Sequence, residues 1–207
     1  MTAEPSVEAG SDAAIRTFIA IELDDALRGA IAAAIRELRE GPRGDRIRWA
    51  RPETLHVTLR FLGDIDPARV PALGAALRAE AVAIAPFELE LGELGAFPSL
   101  RRPQAVFFRV GPRPQLATLA AAVERAVVQA GFAAESRPFR PHLTLGRSRR
   151  GRNVPMTASV TPPGDALVVD EIVLFRSQLA HSGATGRGAT HTPLDRIAIG
   201  AGRPHHP

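Results

Sequence analysis

The chain has 207 residues, of which 45% are apolar, and a formal net charge of +4. The apolar content is typical of globular proteins, and no apolar run approaches the ~18 residues of a membrane-spanning helix. The absence of cysteine excludes disulfides, thiolate zinc sites and thiol catalysis. All basic residues are arginine, so the high sequence pI of about 11.1 reflects missing Lys and Tyr rather than a nucleic-acid-binding surface.

The first half of the chain alternates between strand and helix patterns. The polar start, MTAEPSVEAGSD, lacks the basic and apolar regions of a secretory signal, so we expect a cytoplasmic protein. A strand is predicted over 16–23, and Asp24 can cap the helix predicted over 26–40. Three more elements follow: strand material at 47–65, a helix at 67–85 and a strand at 86–98.

A second cycle of similar elements follows. A strand is predicted over 104–111, a helix over 113–131 and a strand within 139–150. Two further strands are predicted at 170–179 and 191–200. The order repeats that of the first half, which predicts an α+β fold of two related lobes with largely antiparallel strands.

The tetrapeptide His-x-Thr-Leu occurs once in each half, at 56–59 and at 142–145. Alternate residues of a strand share one face, so each copy presents its His and Thr together and its apolar residues on the other face. A chain of this composition would contain about 0.03 such matches by chance. A duplicated structural strand would explain the leucines but not the polar pairs, so the two copies indicate a shared site.

These side chains suit the hydrolysis of a cyclic phosphate. Water needs a base, the leaving ribose oxygen needs an acid, and imidazoles of pKa ~6.5 can serve as both near neutral pH. His56 and His142 are the candidate acid and base. Thr58 and Thr144 can donate hydrogen bonds to the phosphate oxygens. This chemistry requires neither a metal nor a cofactor.

The residues resemble the two-histidine phosphoesterases, specifically the RNA 2′,3′-cyclic phosphodiesterase group historically called 2′–5′ RNA ligases. The similarity runs through RTFIAIEL, RWARPETLHVTLRFLGDI, RPFRPHLTLGR, VDEIVLFRSQL and HTPLDRIAIG.

The resemblance implies a bilobal, pseudo-symmetric α+β fold: two sheets, helices outside and the active cleft between the lobes. The expected organisation is a flexible tail at 1–15, one bilobal domain at 16–200 and a C-terminal tail at 201–207. The expected partner is RNA with a 2′,3′-cyclic phosphate end, with no metal, no membrane and a monomeric state.

The resemblance also implies roles for the motif residues and a 2′-phosphomonoester product. His56 would be the proton donor and His142 the proton acceptor, while Thr58 and Thr144 would hold the phosphate. The residues leave open 2′–5′ ligation at the same site and non-catalytic binding of RNA ends. A metal-dependent phosphatase is a weaker reading, because the histidines lack neighbouring metal ligands.

Other residues are assigned structural roles. Packing is predicted for Phe18 and Phe107, which occupy similar places in the repeat, and Trp49 either packs in the same way or stacks on a base. Arg147 should face away from the histidines if its strand is regular. A solvated loop is the default for Arg149, Arg150 and Arg152, with contacts to the RNA backbone as the alternative. The lone histidines His181 and His191 could reach the cleft, but solvent-facing positions are their default. His191 stands where relatives often carry an aromatic residue.

Overall fold

The computed structural model describes residues 13–149, 160–179 and 189–200. The predicted N-terminal tail, 1–15, lies outside the described residues except for its last three positions. The predicted C-terminal tail, 201–207, lies outside them entirely. The organisation as one domain between two tails therefore stays a prediction.

The described part of the chain forms nine strands and three α-helices. The strands are β1 (Ile15–Glu22), β2 (Ile47–Trp49), β3 (His56–Ile65), β4 (Phe87–Phe97), β5 (Ala105–Gly111), β6 (His142–Ser148), β7 (Leu167–Val169), β8 (Glu171–Leu179) and β9 (Ala189–Ala198). The helices are α1 (Asp25–Glu40), α2 (Val70–Ala81) and α3 (Arg113–Gln129). The predicted α+β class is confirmed. The sequence did not predict β7, whose three residues are too few to show a period.

The strands follow one hydrogen-bonded path, β7-β4-β5-β6-β3-β1-β8-β9, with β2 also paired to β6. Every pair is antiparallel. Two sheets were expected, but the halves join where β3 meets β6, through the pair Val57 and Leu143. The motif strands β3 and β6 thus lie side by side at the centre of the path.

Each helix buries one apolar stripe. In α1 the stripe includes Leu27, Ile31, Ile35 and Leu38, and all four are buried. A 3-10 turn at Pro67–Arg69 replaces the first turn of the second predicted helix, so α2 is shorter than expected. No helix among the described residues is long and apolar enough to cross a membrane.

The two sides of the sheet are packed differently. One side and the three helices share the main core, whose strand residues include Ile19, Ile21, Val57, Leu59, Phe108, Leu143, Leu145 and Leu174. The other side carries a small separate cluster of Phe18, Ala20, Val173 and Phe175. We call these the core face and the site face. The strand period of two explains why adjacent residues of β1 contribute to different clusters.

Asp24 caps α1, as predicted, and its loss should destabilise the protein measurably. Its Oδ1 accepts a hydrogen bond of 2.8 Å from the backbone N–H of Leu27, an amide with no partner inside the helix. We expect Asp24→Ala to lower the free energy of unfolding by about 1 kcal/mol in urea titrations. Asp25→Ala is the matched control and should cost only a few tenths, about 0.3 kcal/mol, since Asp25 acts through the helix dipole alone. Equal losses in the two variants would contradict the capping role.

Candidate active site

The two His-x-Thr-Leu motifs lie on β3 and β6 and meet at one residue pair. Val57 and Leu143 are register partners and are fully buried on the core face. Since adjacent strand residues point to opposite faces, the neighbouring His and Thr of both motifs point to the site face. His56, Thr58, His142 and Thr144 are each partly buried there. The structure therefore brings together all four residues that the motifs singled out.

The two histidines are held in the same way. The Nδ1 of His56 is 2.8 Å from the carbonyl oxygen of Thr54, two residues earlier. The Nδ1 of His142 is 2.6 Å from the carbonyl oxygen of Arg140, also two residues earlier. A carbonyl can only accept, so Nδ1–H is the donor in both rings and Nε2 is the nitrogen that can gain or lose a proton. The two motifs therefore orient their histidines in the same way on either side of the pair Val57 and Leu143.

The imidazole of His56 rests on Phe18. Their ring centroids are 4.7 Å apart, and Phe18 also stacks on Phe175 at 5.2 Å. Phe18 is only 1% exposed, so the predicted packing role is confirmed. It belongs, however, to the cluster on the site face rather than to the main core. Its packing therefore supports a site residue directly.

Two phenylalanines flank His142 in a similar way. Its ring centroid lies 5.2 Å from that of Phe97 and 5.4 Å from that of Phe107, both with edge contacts. Phe107 is the register partner of Thr144, whereas Ala20 is the register partner of Thr58. In the repeat, Phe107 therefore occupies the position of Ala20 and not that of Phe18. Register shifts in the β1–β3 and β5–β6 pairs account for the difference. The phenylalanines provide the same support from different positions.

A third histidine lies in this site. The ring of His191 meets that of His56 edge-on, with centroids 5.2 Å apart and an interplanar angle of 89°. It also contacts Phe18 at 4.9 Å. The default of a solvent-facing His191 is wrong and the alternative, that it reaches the cleft, is observed. His191 belongs to β9, and only the pairing of the sheet shows which face it occupies. His181 lies outside the described residues.

The surroundings of His56 disfavour its charged form. Burial lowers the pKa of His56 to about 4, and the nearby His191 and His142 act in the same direction. The hydrogen bond to the Thr54 carbonyl acts in the opposite direction without overcoming the burial. Burial also lowers the pKa of His191, with a contribution from the Arg51 cation. His56 is therefore neutral at neutral pH in the free protein.

Arg147 shares the site face, contrary to the expectation for a regular strand. Its register partner is Ala105, two residues before Phe107 on β5. The pairing slips by one residue between Val106 and Phe107, and this irregularity reverses the side to which Arg147 points. Its exposed guanidinium provides a cation on the face that carries both motif histidines.

The rest of the arginine run is structural or lies outside the described residues. The Nε of Arg149 donates to the carbonyl oxygen of Asp45 at 3.2 Å, while Arg150 and Arg152 are outside. Trp49 packs against the main core, and its indole N–H donates to the carbonyl oxygen of Gly44 at 2.9 Å. The structural role of Trp49 is confirmed.

The arrangement can accept one proton and donate another at a group placed between the histidines. Two imidazoles offer their Nε2 atoms, and two hydroxyls can donate hydrogen bonds. In the described ranges no three His, Asp or Glu side chains gather as ligands for a metal ion. The chemistry these residues can perform is acid–base catalysis on an anionic ester.

Comparison with known proteins now decides the family. A sequence model of the 2′-5′ RNA ligase superfamily matches residues 27–180, about three quarters of the chain. The chain belongs to this superfamily. The resemblance found in the motifs is thereby confirmed, and the match includes both His-x-Thr-Leu copies.

Relatives in the superfamily carry one activity name. A Geobacillus stearothermophilus protein named RNA 2′,3′-cyclic phosphodiesterase is 34% identical over 63% of this chain and 43% of its own length. A Bacillus subtilis protein of the same name is 34% identical over 51% of this chain and 58% of its own. The chain thus spans about half the length of these curated relatives.

The fold also matches a solved structure in the superfamily. Escherichia coli LigT, crystallised with 3′-AMP, superposes with a TM-score of 0.70 at 27% sequence identity. The superposition covers 90% of this chain and 98% of LigT. The fold of this chain is therefore similar to that of LigT over nearly the full length of LigT.

Proposed function

We propose that this chain hydrolyses the 2′,3′-cyclic phosphodiester at RNA ends to a 2′-phosphomonoester. The observation that carries the proposal is the pair of motif imidazoles on one face, each with Nδ1 bound to a carbonyl oxygen and Nε2 available. The relatives named RNA 2′,3′-cyclic phosphodiesterase support the substrate class.

The proposed reaction is one in-line displacement at phosphorus. His142 accepts a proton from water through Nε2 as the water oxygen attacks phosphorus. The bond between phosphorus and the ribose O3′ breaks, and His56 donates a proton to O3′. The P–O2′ bond stays intact, so the products are a 2′-phosphate and a free 3′-hydroxyl. Thr58 and Thr144 donate hydrogen bonds to the non-bridging oxygens, where negative charge develops.

His56 must gain its proton in the substrate complex, because it is neutral in the free protein at neutral pH. A bound phosphodiester carries one negative charge, and a nearby anion favours the protonated form of an imidazole. The substrate therefore counteracts the burial that suppresses the charge. This coupling would leave the acid unprotonated until an anionic substrate occupies the site.

The low pKa of His56 sets the acid side of the pH profile. The reaction needs one neutral and one protonated imidazole. Below the pKa of His56 both imidazoles are protonated in the free protein, so no base is left to accept the proton of water. We therefore expect kcat/KM to decline as pH falls through about 4. Initial rates at low substrate from about pH 3 to about pH 9, at constant ionic strength, would locate this decline. A decline centred near the ordinary histidine value of ~6.5 would contradict it.

The direct test identifies the product. A short RNA ending in a 2′,3′-cyclic phosphate is incubated with the full chain in EDTA, and the product is compared with 2′- and 3′-phosphate standards by chromatography. We expect a 2′-phosphate at a rate unaffected by the chelator. A 3′-phosphate, or no turnover between acid and neutral pH, would overturn the proposal, and loss of the reaction in EDTA would overturn its metal-free mechanism.

The same acid and base could also join RNA ends. Attack by a 5′-hydroxyl instead of water would give a 2′–5′ linkage. The superfamily is named after this ligation reaction. Adding a 5′-hydroxyl RNA to the assay separates the two, because ligation lengthens the product. RNA binding without turnover would identify a binding role instead.

The monomeric state and the cytoplasmic location stay predictions.

A further inference from the structure

His191 reaches His56 across an unusual distance in the sheet. Along the path, β9 is separated from β3 by β8 and β1. Three strand steps of ~4.8 Å would place these strands about 14 Å apart in a flat sheet. The ring centroids of His191 and His56 are nevertheless only 5.2 Å apart. The curl of the sheet and the lean of both rings over Phe18 bring the two imidazoles together.

A second contact ties β9 to the segment that leads into β3. The Nη2 of Arg51 donates to the carbonyl oxygen of Ala189 at 2.7 Å. Ala189 begins β9, two residues before His191, and Arg51 lies five residues before His56. This hydrogen bond from a side chain to a backbone carbonyl holds the start of β9 near the segment that precedes His56.

The Nδ1 of His191 is buried and has no hydrogen-bond partner among the described residues. Most buried polar atoms in folded proteins are paired, so an unpaired one calls for an explanation. His56 and His142 both use Nδ1 to anchor the ring on a carbonyl oxygen. His191 differs from them in this respect, which argues against a third proton-transfer residue of the same kind.

The groups around His56 oppose a positive charge on it. His142 on β6 and His191 on β9 are potential like charges, while Val173 and Phe175 of β8 pack with Phe18 and the β8 carboxylate Glu171 is bound by Arg196. Glu22 on β1 is the register partner of His56, but its carboxylate is bound by the guanidinium groups of Arg196 and Arg28. The positive charge of Arg51 lowers the pKa of His191. Within the described residues, no free carboxylate balances a proton on His56.

We infer that His191 is a positioning residue for His56: its ring, edge-on to the imidazole and in contact with Phe18, holds His56 in place. The inference deepens the proposed function and depends on it for the substrate. The smaller effect of His191 on the charge of His56 can be measured in the free protein, without any turnover.

The first experiment titrates His56 by NMR in the full chain, with its ring signal assigned from the spectrum of His56→Gln. His191→Asn removes the neighbouring charge and keeps a polar side chain. We expect the His56 midpoint to rise by about half a pH unit in this variant. Thr192→Val, at the next and exposed position of β9, is the matched control and should leave the midpoint unchanged. An unchanged midpoint in His191→Asn, or an equal rise in the control, would overturn this effect of His191 on the charge of His56.

The second experiment measures positioning through kcat. We expect His191→Ala to lower kcat about tenfold while KM stays within about twofold, because a misplaced acid slows the chemical step more than binding. His191→Phe, which restores a ring, should recover most of the loss. Wild-type kcat in His191→Ala would overturn the positioning role. If the wild-type chain turned over no cyclic phosphate, the proposed function would fail, whereas the NMR titration would still decide the effect of His191 on His56.

Discussion

Replacing His142 by alanine is expected to lower kcat/KM on a 2′,3′-cyclic phosphate RNA by about 100- to 10,000-fold, the range typical of a lost general base. The imidazole is positioned by its Nδ1 contact with the Arg140 carbonyl and by the rings of Phe97 and Phe107. None of these neighbours can take over proton transfer from water. His56→Ala is expected to cause a loss of the same order, because the leaving O3′ would depart without a proton.

The pair should behave as one unit. The double variant is expected to lose little more activity than either single variant, because the acid and the base act together in one step. Initial-rate measurements with the same RNA would check this, together with circular dichroism to verify that each variant is folded. His205→Ala is the matched control, since His205 has no part in the proposed mechanism, and it should keep wild-type activity. Near-full activity in either single variant would contradict the two-histidine mechanism.

The second large effect concerns Phe18, and it should appear in both stability and activity. Phe18 is 1% exposed and its ring contacts those of His56, Phe175 and His191. Phe18→Ala is expected to lower the free energy of unfolding by about 3–5 kcal/mol, from lost burial and the cavity left behind. The cavity would lie directly beneath His56, so kcat should fall even at temperatures where the variant is fully folded.

Phe108→Ala separates the two consequences. Phe108 is fully buried in the main core, on the opposite face of the sheet. It should lose a similar free energy of unfolding, measured by urea titration, but keep most of its kcat while folded. Equal losses of kcat in the two variants would indicate that Phe18 acts through stability alone.

Most elements of this fold were predictable from the sequence, because they carry a clear local signal. The α1 stripe and its Asp24 cap depend only on neighbouring residues, and β1 is recognised from its local run of β-branched and aromatic residues. The strand β7, with three residues, is too short to show a period, and it forms because β4 provides a hydrogen-bonding edge. The joining of both halves into one path also depends on that kind of long-range pairing.

The same division runs through the site. The sequence by itself determined that His56, Thr58, His142 and Thr144 share polar strand faces, because a strand alternates its side chains whatever it pairs with. It could not determine the pair Val57 and Leu143 that places the motifs together, since register is a contact between distant segments.

Only the tertiary structure decided the surroundings of the motif residues. The register slip beside Phe107 turned Arg147 to the site face, and the curl of the sheet brought His191 to His56. Burial then lowered the pKa of His56, an effect that depends on every group packed around the ring. Local patterns thus identify which side chains can react, whereas pairing and burial decide which of them meet and which hold a proton.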